Sequence, residues 1–184
     1  MTDRAKLYTV DEFEQFIDLP ENADRLFELI DGEIVEKVPT EEHSIVAGNI
    51  YAALRDFVKP RNLGRVLFEV RHQLAGDNEN SRLPDVEFTR AERVQPVVKR
   101  GAVPQLPDLA VEVKSPTDRA AVMRRKALYY LENGVQLVCL VYPDTQRIEV
   151  LGPDTLKTLI MGDTLDGGDV LPGFTLSVKD VFEE

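Results

Sequence analysis

Apolar residues recur at helical spacing in three stretches of the chain. The first runs from Thr9 to Phe16, where Thr9 and Glu12 have the spacing of a capping box. The second covers residues 41–58, with an apolar stripe along one side and no proline inside. The third extends from about residue 118 to residue 133 and is followed by Gly134, which suits a helix C-terminus. These patterns predict three helices.

Shorter apolar runs bounded by turn residues predict the strands. Residues 26–30 and 33–38 flank Asp31-Gly32, a dipeptide suited to the positive backbone angles of a two-residue hairpin turn. Further strands are predicted over residues 66–74, 85–89, 108–114, 135–142 and 147–151. Short strands are predicted in the tail. Helices and strands mix without a repeat or a linker, so we expect one α/β domain over residues 1–184, a mixed β-sheet flanked by helices.

Length and composition are those of a globular protein. The 184 residues support one hydrophobic core, and 43% of them are hydrophobic and 30% charged. The apolar stretches are too short to cross a bilayer, and residues 1–6 lead into no apolar segment of the kind that a secretory signal needs. Cys139 is the one cysteine and lies in an apolar run. We therefore expect a soluble protein in a reducing cytoplasm, without disulfides or membrane contact.

The segment from Asp108 to Lys114 alternates in a way that places chemical groups on one side of a strand. A period of two puts Glu112 and Lys114 on the face opposite to the apolar residues between them. These two residues are roughly 6.5 Å apart along the strand, so both side chains can approach one small ligand. Asp85 begins another predicted strand after a proline. If the two strands are neighbours, Asp85 and Glu112 form a pair of carboxylates.

A carboxylate pair beside a lysine is typical of phosphodiester hydrolysis with a divalent metal. Mg²⁺ and Mn²⁺ accept one or two carboxylates, keep several waters and take further ligands from phosphate. Such an ion polarises a phosphoryl oxygen and activates water, and Lys114 would orient that water or stabilise negative charge. The chain has no cluster of cysteine and histidine for zinc. By itself, however, an acid and a lysine two residues apart is a pattern that chance produces.

The net charge of -11 argues against a surface that attracts nucleic acid as a whole, because contacts of Lys and Arg with phosphate supply most nonspecific affinity. This objection weakens if the acids cluster at a metal site and the basic residues line one groove. The candidates for such a groove are Arg55, Lys59, Arg61, Arg65, Arg71, Arg119, Arg124, Arg125 and Lys126.

The order of several motifs is more specific than any one of them. The motifs are Phe-Glu-Leu-Ile-Asp-Gly-Glu around Glu28, His43 at a helix start, Arg82-Leu-Pro-Asp85-Val, Pro107-Asp-Leu-Ala-Val-Glu-Val-Lys-Ser-Pro116, then Lys126, Tyr130 and Gly134-Val135. In this order and over nearly the whole chain, the sequence resembles the Uma2 family of restriction-endonuclease-like proteins.

The resemblance implies a PD-(D/E)XK nuclease core and a bacterial origin. It implies metal binding by Asp85 and Glu112 together with the backbone carbonyl of Val113, and a catalytic role for Lys114, with Glu28 as an auxiliary acid. The expected reaction is metal-dependent cleavage of DNA by an endonuclease that uses Mg²⁺ or Mn²⁺. A homodimer is expected because cutting two strands favours a symmetric pair.

Two departures from the family pattern matter. The family often has a Trp-Leu-Val-Asp-Pro-like segment after Gly-Val, where this chain reads Cys139-Leu-Val-Tyr-Pro143, with Tyr142 in place of the acid. Many members also have an apolar residue at the position of Lys114 and keep a lysine at that of Lys126. This chain has both lysines, so the choice between Lys114 and Lys126 stays open.

Each remaining candidate also has a purely structural interpretation. Glu28 is an acid whose strand neighbours are apolar, His43 can hydrogen-bond locally at a helix start, and Asp108 suits entry into a strand. Lys126 and Tyr130 are four residues apart on a helix and can point together towards Glu112, but a core tyrosine beside a partly buried lysine explains them equally well. His43, Asp108 and Tyr130 are therefore auxiliary candidates.

Two other functions fit the same residues. A noncatalytic module with a nuclease fold, binding nucleic acid or protein, would agree with the net charge and with Tyr142. A metal-dependent hydrolase of a small phosphodiester would avoid docking a long polyanion on an acidic protein.

Overall fold

The computed structural model describes residues 6–184, so most of the N-terminal segment from which we inferred the absence of a secretory signal lies outside the described residues. The described residues form two compact units. The first contains residues 6–38, 70–83 and 97–106, and the second contains residues 39–69, 84–96 and 107–184. The single domain over residues 1–184 stays a prediction.

Four α-helices lie in the described residues. They are α1 (Val10–Ile17), α2 (Glu41–Val58), α3 (Ala120–Glu132) and α4 (Val178–Phe182). The side-chain oxygen of Thr9 accepts from the amide of Glu12, and the Glu12 carboxylate accepts from the amide of Thr9, which completes the predicted capping box of α1. Thr40 caps α2 by accepting from the amide of His43, so the side chain of His43 is placed in the first turn.

The strands belong to two hairpins and one sheet. They are β1 (Leu26–Ile30), β2 (Glu33–Lys37), β3 (Gly64–Phe68), β4 (Val86–Arg90), β5 (Leu109–Val113), β6 (Leu137–Tyr142), β7 (Arg147–Gly152), β8 (Thr155–Leu159), β9 (Thr164–Asp166) and β10 (Thr175–Ser177). Strands β1 and β2 pair in one hairpin, β9 and β10 in another, and the six-stranded sheet has the order β3-β4-β5-β6-β7-β8. Only β5 and β6 are parallel in this sheet, as a helical crossover requires. The predicted mixed α/β sheet is confirmed.

The first unit packs α1 against the β1-β2 hairpin. Its small core contains Val10, Phe13, Phe27 and Leu29, with the ring of Phe16 edge-on to that of Phe27 at 5.1 Å between centroids. The turn between the strands has positive φ angles of 50° at Asp31 and 80° at Gly32, as expected for an Asp-Gly hairpin.

The second unit has two different sheet faces. One face is apolar and packs on the buried stripe of α2, which includes Val46, Ile50, Leu54 and Val58. This face presents every second residue of β5, namely Leu109, Val111 and Val113. The other face carries Glu112 and is covered by α3. Below we call it the α3 face, meaning the face of β4 to β8 that bears Glu87, Glu112 and Glu149.

The predicted bounds fail where backbone geometry interrupts an apolar run. The strand predicted over residues 66–74 is wrong beyond Phe68, because Glu69 has a φ of 51°, which ends the extended conformation. The tail was expected to hold only short strands, but α4 follows β10 directly. Ser177 accepts from the amide of Lys179 and so caps this short helix.

Two bulk expectations can be compared with the structure. Among the helices of residues 6–184, none has the length and apolar character needed to span a bilayer. Cys139 is a buried free thiol in β6, and burial raises its pKa to about 12, so it stays protonated and packs as a small apolar residue.

Candidate active site

Asp85 and Glu112 lie at the same end of two neighbouring strands. Strands β4 and β5 are antiparallel, with Val86 opposite Val111 and Phe88 opposite Leu109. Asp85 immediately precedes β4, where its amide donates to the carbonyl of Val111 at 3.0 Å and its carboxylate accepts from the amide of Val113, so Asp85 is bonded to both chain neighbours of Glu112. The strand adjacency on which the sequence prediction depended is therefore present. Both acids are buried, with 2% and 3% of their surface exposed.

Glu112 is held by two residues of α3. The Nζ atom of Lys126 donates to its Oε2 at 2.6 Å, and the hydroxyl of Tyr130 donates to its Oε1 at 2.8 Å. The two donors are one helical turn apart, so they project from the same side of α3. A carboxylate whose two oxygens both accept hydrogen bonds has a fixed orientation. The expected convergence of Lys126 and Tyr130 on this strand is therefore present.

Asp85 is oriented from two directions. Its Oδ2 accepts from the backbone amide of Val113 at 2.6 Å and lies 3.3 Å from Nε2 of His43. Within residues 6–184, the buried Nδ1 of His43 has no hydrogen-bond partner. The favourable arrangement therefore has the proton on Nε2, where it faces a carboxylate. Nδ1 then carries a lone pair, which costs less to leave unpaired than an N–H group. His43 is thus placed to orient Asp85.

Lys114 does not join Glu112 as the strand pattern suggested. It follows the last residue of β5, and its Nζ lies 3.3 Å from Oδ2 of Asp144, in the turn after β6. Lys126, by contrast, is buried and contacts Glu112 directly. The arrangement thus brings the helical lysine, rather than the strand lysine, to the carboxylate pair.

Two further candidates lie elsewhere. Asp108 immediately precedes β5, at the end remote from Glu112, and accepts from the amide of Arg90 at 2.8 Å and from NH1 of Arg93 at 2.7 Å. These bonds secure the loop after β4 and do not bring Asp108 to the pair. Glu28 lies in the middle of β1 opposite Val35, within the first unit. Its role as an auxiliary acid stays a prediction.

The sequence reasoning missed Glu149, a further buried carboxylate on the α3 face besides Glu112 and Glu87. Glu149 of β7 accepts from Nε and NH2 of Arg124 at 3.1 and 2.7 Å and from the hydroxyl of Tyr142 at 3.2 Å. Its oxygen Oε1 is also 3.7 Å from NH2 of Arg147. The signal was present, since Ile148 and Val150 are core residues and an acid between them must use the opposite face.

The ionisation of this second cluster follows from its contacts. The hydrogen bonds from Arg124 lower the pKa of Glu149. Burial, followed by the nearby negative charge of Glu149, raises the pKa of Tyr142. Glu149 is therefore a carboxylate at neutral pH, and Tyr142 is a neutral hydroxyl that donates to it. Tyr142 thus interacts with an acid on the neighbouring strand instead of supplying the acid that the family pattern has at its position.

The donor set at Asp85 and Glu112 fits a hard divalent cation. Among the described residues, no group of three or more His, Cys, Asp and Glu side chains is arranged to hold a metal ion. Two opposed carboxylates are nevertheless the number that Mg²⁺ and Mn²⁺ commonly take from a protein, since waters and phosphate oxygens complete their coordination. A closed zinc site, which needs four protein ligands, does not fit these residues.

Comparisons with known proteins agree with the fold and place the chain among nuclease-like proteins. The model of the Uma2 family, described as "Putative restriction endonuclease", matches residues 13–179. A crystal structure described as "a putative nuclease belonging to DUF820 from Anabaena variabilis" is 26% identical in sequence, with a TM-score of 0.79, and the match covers 95% of this chain and 97% of that one. No curated protein matches the chain. Because the family match spans residues of both compact units and most of the sequence, the protein belongs to the Uma2 family of restriction-endonuclease-like proteins.

Proposed function

We propose that the protein is a Mg²⁺- or Mn²⁺-dependent endonuclease of the PD-(D/E)XK type that hydrolyses phosphodiester bonds of DNA. The single observation that supports this most is the position of Asp85, which is hydrogen-bonded to both chain neighbours of Glu112 while Lys126 contacts Glu112 itself. Membership of a restriction-endonuclease-like family supports a nuclease.

In this proposal, Asp85 and Glu112 hold the metal ion, together with the backbone carbonyl of Val113. A bound Mg²⁺ or Mn²⁺ would polarise a phosphoryl oxygen and make water a stronger nucleophile at neutral pH. Tyr130 and Lys126 orient Glu112, and the amide of Val113 orients Asp85.

Lys126 also has a direct role in the proposal. Its buried ammonium contacts Glu112, and from there it would orient the attacking water or stabilise the negative charge that develops on the phosphoryl group. Lys114 is the alternative for this role, and its contact with exposed Asp144 makes it the less favoured of the two. Glu28 stays a proposed auxiliary acid.

The test is cleavage of plasmid DNA and of labelled duplexes by purified protein, with and without MgCl2 or MnCl2. We expect metal-dependent cleavage that is lost in Asp85→Asn and in Glu112→Gln. Asp108→Asn is the matched control, because it neutralises an equally buried carboxylate at the other end of β5. Cleavage that survives in Asp85→Asn and Glu112→Gln would contradict the proposal.

One observation favours a noncatalytic nuclease-fold module that binds nucleic acid or protein as a second candidate. Both oxygens of Glu112 accept hydrogen bonds from Lys126 and Tyr130, so an ion must share that carboxylate with them. Calorimetric titration with Mn²⁺ separates the two functions. Stoichiometric binding that disappears in Glu112→Gln supports the enzyme, and the absence of binding supports the noncatalytic module.

The net charge of -11 favours a third candidate, a metal-dependent hydrolase of a small phosphodiester. Rates on bis(4-nitrophenyl) phosphate and on DNA, compared at the same metal concentration, distinguish this enzyme from an endonuclease. The homodimer and the bacterial cytoplasm stay predictions from the sequence. Sedimentation of the protein alone and with duplex DNA tests the dimer.

A further inference from the structure

Two guanidinium groups meet at one buried carboxylate on the α3 face. Oxygen Oε1 of Glu149 is 2.7 Å from NH2 of Arg124 and 3.7 Å from NH2 of Arg147. The side chain of Glu149 is 4% exposed, whereas those of Arg124 and Arg147 are 59% and 37% exposed. The carboxylate is therefore enclosed, while both cations keep a surface that faces solvent. We call these three residues the Glu149 cluster.

Arg147 is held in this cluster without a strong bond of its own. Its guanidinium stacks over the ring of Tyr142 at 4.6 Å from the centroid. Within the described part of the chain, its buried Nε has no hydrogen-bond partner, and its contact with Glu149 is longer than a hydrogen bond. The protein thus positions an arginine whose terminal donors remain available to a ligand.

The charge of the Glu149 cluster is positive in a strongly acidic protein. Two guanidiniums face one carboxylate, and the hydrogen bonds from Arg124 lower the pKa of Glu149, so the cluster carries a net charge of about +1 at neutral pH. A planar guanidinium pair that is already oriented suits an oxyanion with several acceptor oxygens, such as a phosphate.

The Glu149 cluster lies on the same face and at the same level as the candidate active site. The sheet register places Glu112 beside Leu140 and Leu140 beside Glu149, so the two acids are two strands apart, or roughly 10 Å. Helix α3 spans this interval, with Arg124 on Glu149 and Lys126 on Glu112. A nucleic acid strand carries one phosphate about every 3.4 Å of its axis, so a strand cleaved at Glu112 has other phosphates within this interval.

We propose that Arg124 and Arg147, oriented by Glu149, bind a backbone phosphate that flanks the scissile phosphodiester. The inference rests on the proposed nuclease function and names the substrate as an extended polynucleotide instead of a small phosphodiester. It also gives a protein with a net charge of -11 a local positive patch for a polyanion, because the guanidiniums of Arg124 and Arg147 are both partly exposed.

Binding measurements in EDTA test the proposal without any cleavage. Anisotropy titrations of a labelled DNA duplex over a salt series give both the affinity and the salt slope. Arg147→Gln should lower the slope by about 0.9 and weaken binding about eightfold at 0.1 M salt, as expected for the loss of one phosphate contact. The substitution is mild for folding, because Arg147 makes no close hydrogen bond to Glu149.

Lys157→Gln is the matched control. Lys157 is an exposed cation on β8, next to β7, but it is opposite Val150 and therefore projects from the other face of the same sheet. It should leave both the affinity and the salt slope unchanged. Arg124→Gln should lower the affinity and the salt slope as Arg147→Gln does. Because Arg124→Gln leaves the buried Glu149 with fewer partners, the thermal unfolding of this variant is measured as well.

Several results would overturn the proposal. One is a duplex affinity or salt slope that changes equally in Arg147→Gln and Lys157→Gln, and another is wild-type protein that does not bind the duplex. A third is a change in the competition by inorganic phosphate in Arg147→Gln while the affinity for the duplex stays the same, which would indicate a site for a small anion. A fourth is an equal loss of bis(4-nitrophenyl) phosphate hydrolysis, since that substrate has no flanking phosphate.

Failure of the proposed function gives a different result. If no metal supports cleavage of any substrate, the endonuclease is contradicted, but the salt slopes in EDTA still decide whether Arg147 contacts a nucleic acid phosphate. A reduced slope without cleavage would identify a binding module that uses the Glu149 cluster, and an unchanged slope would contradict the cluster as a phosphate site.

Discussion

Glu112 and Glu149 occupy equivalent positions two strands apart, yet they are surrounded by different chemistry. Each is a buried strand carboxylate that accepts from a basic residue of α3 and from a tyrosine hydroxyl. Both side chains are 4% exposed, but the lysine on Glu112 is 7% exposed and the arginine on Glu149 is 59% exposed. One carboxylate thus sits in an enclosed site, and the other orients cations towards solvent.

The neighbouring strands explain the difference. Glu112 has Asp85 nearby, just before β4 and bonded to Val111 and Val113, whereas Glu149 has Leu140 on one side and Thr158 on the other. Two opposed carboxylates attract a divalent cation, but a single carboxylate between two arginines leaves excess positive charge. The same sheet face can therefore present a cation site and an anion site side by side, which is what hydrolysis of a polyanion requires.

The largest expected difference between the two sites comes from neutralising each carboxylate in turn. Glu112→Gln should lower DNA cleavage about a thousandfold or more, because it removes a proposed metal ligand. Glu149→Gln should keep hydrolysis of bis(4-nitrophenyl) phosphate close to wild type and weaken only DNA binding. Steady-state rates on both substrates measure this. Equal losses in the two variants would show that the carboxylates do not have separate functions.

Replacing each of the two lysines by methionine should have the next largest effect. Lys126→Met should reduce the turnover of DNA about a hundredfold, since the ammonium beside Glu112 is lost while the aliphatic stem is kept. Lys114→Met should cost little, because that lysine contacts Asp144 at the end of the sheet. Single-turnover cleavage at saturating metal is the measurement. A larger effect at Lys114 would reverse the assignment.

The contest between these lysines shows where sequence patterns stop being informative. Strand parity correctly places Glu112 opposite to the core face, but Lys114 follows the last residue of β5 and its Nζ contacts Asp144 in the turn after β6. Lys126 and Tyr130 are inside α3, and their spacing of four residues correctly predicts a shared direction. Periodicity is thus informative within a strand or a helix, whereas the contact of Lys114 depends on where the turn after β6 places Asp144.

Local and long-range features of the fold differ in the same way. The bounds of α2 and the Asp31-Gly32 turn follow from local chemistry and were predicted correctly. The Glu149 cluster needs the order of β5, β6 and β7 and the position of α3, which depend on tertiary packing. The alternation around Glu149 predicts which sheet face the acid uses, but no pattern along the chain predicts the order of these strands or the position of α3. Glu149 was therefore overlooked.

Removing one tyrosine hydroxyl at a time is a smaller change that sharpens the comparison. Tyr130→Phe should weaken Mn²⁺ binding about tenfold to a hundredfold, because the hydroxyl orients a proposed ligand. Tyr142→Phe should leave Mn²⁺ binding unchanged and lower the free energy of unfolding by about 1 kcal/mol. Calorimetry and urea unfolding measure the two quantities. Weaker Mn²⁺ binding in Tyr142→Phe would mean that the two clusters are coupled.

The pH dependence of unfolding is the smallest expected effect and concerns Glu149 itself. Its pKa is lowered in the folded protein, chiefly by the hydrogen bonds from Arg124, so in the unfolded chain it binds a proton at a higher pH. Its stabilising contribution is therefore fully present above the ordinary glutamate value of about 4.3 and is lost as the pH falls through the folded value. Urea unfolding at several values between about pH 6 and about pH 3 measures how the free energy of unfolding changes with pH.

In Glu149→Gln this part of the slope should disappear, because glutamine does not titrate in that range. Glu36→Gln is a suitable control, since Arg25 lowers the pKa of Glu36 as well, but both side chains of that pair are substantially exposed. We expect a smaller change of slope from the exposed pair than from the Glu149 cluster, because solvent screens the interaction of Arg25 with Glu36. A larger change at Glu36 would mean that burial does not strengthen the bond between Arg124 and Glu149, and the cluster would then lack the fixed geometry that phosphate binding needs.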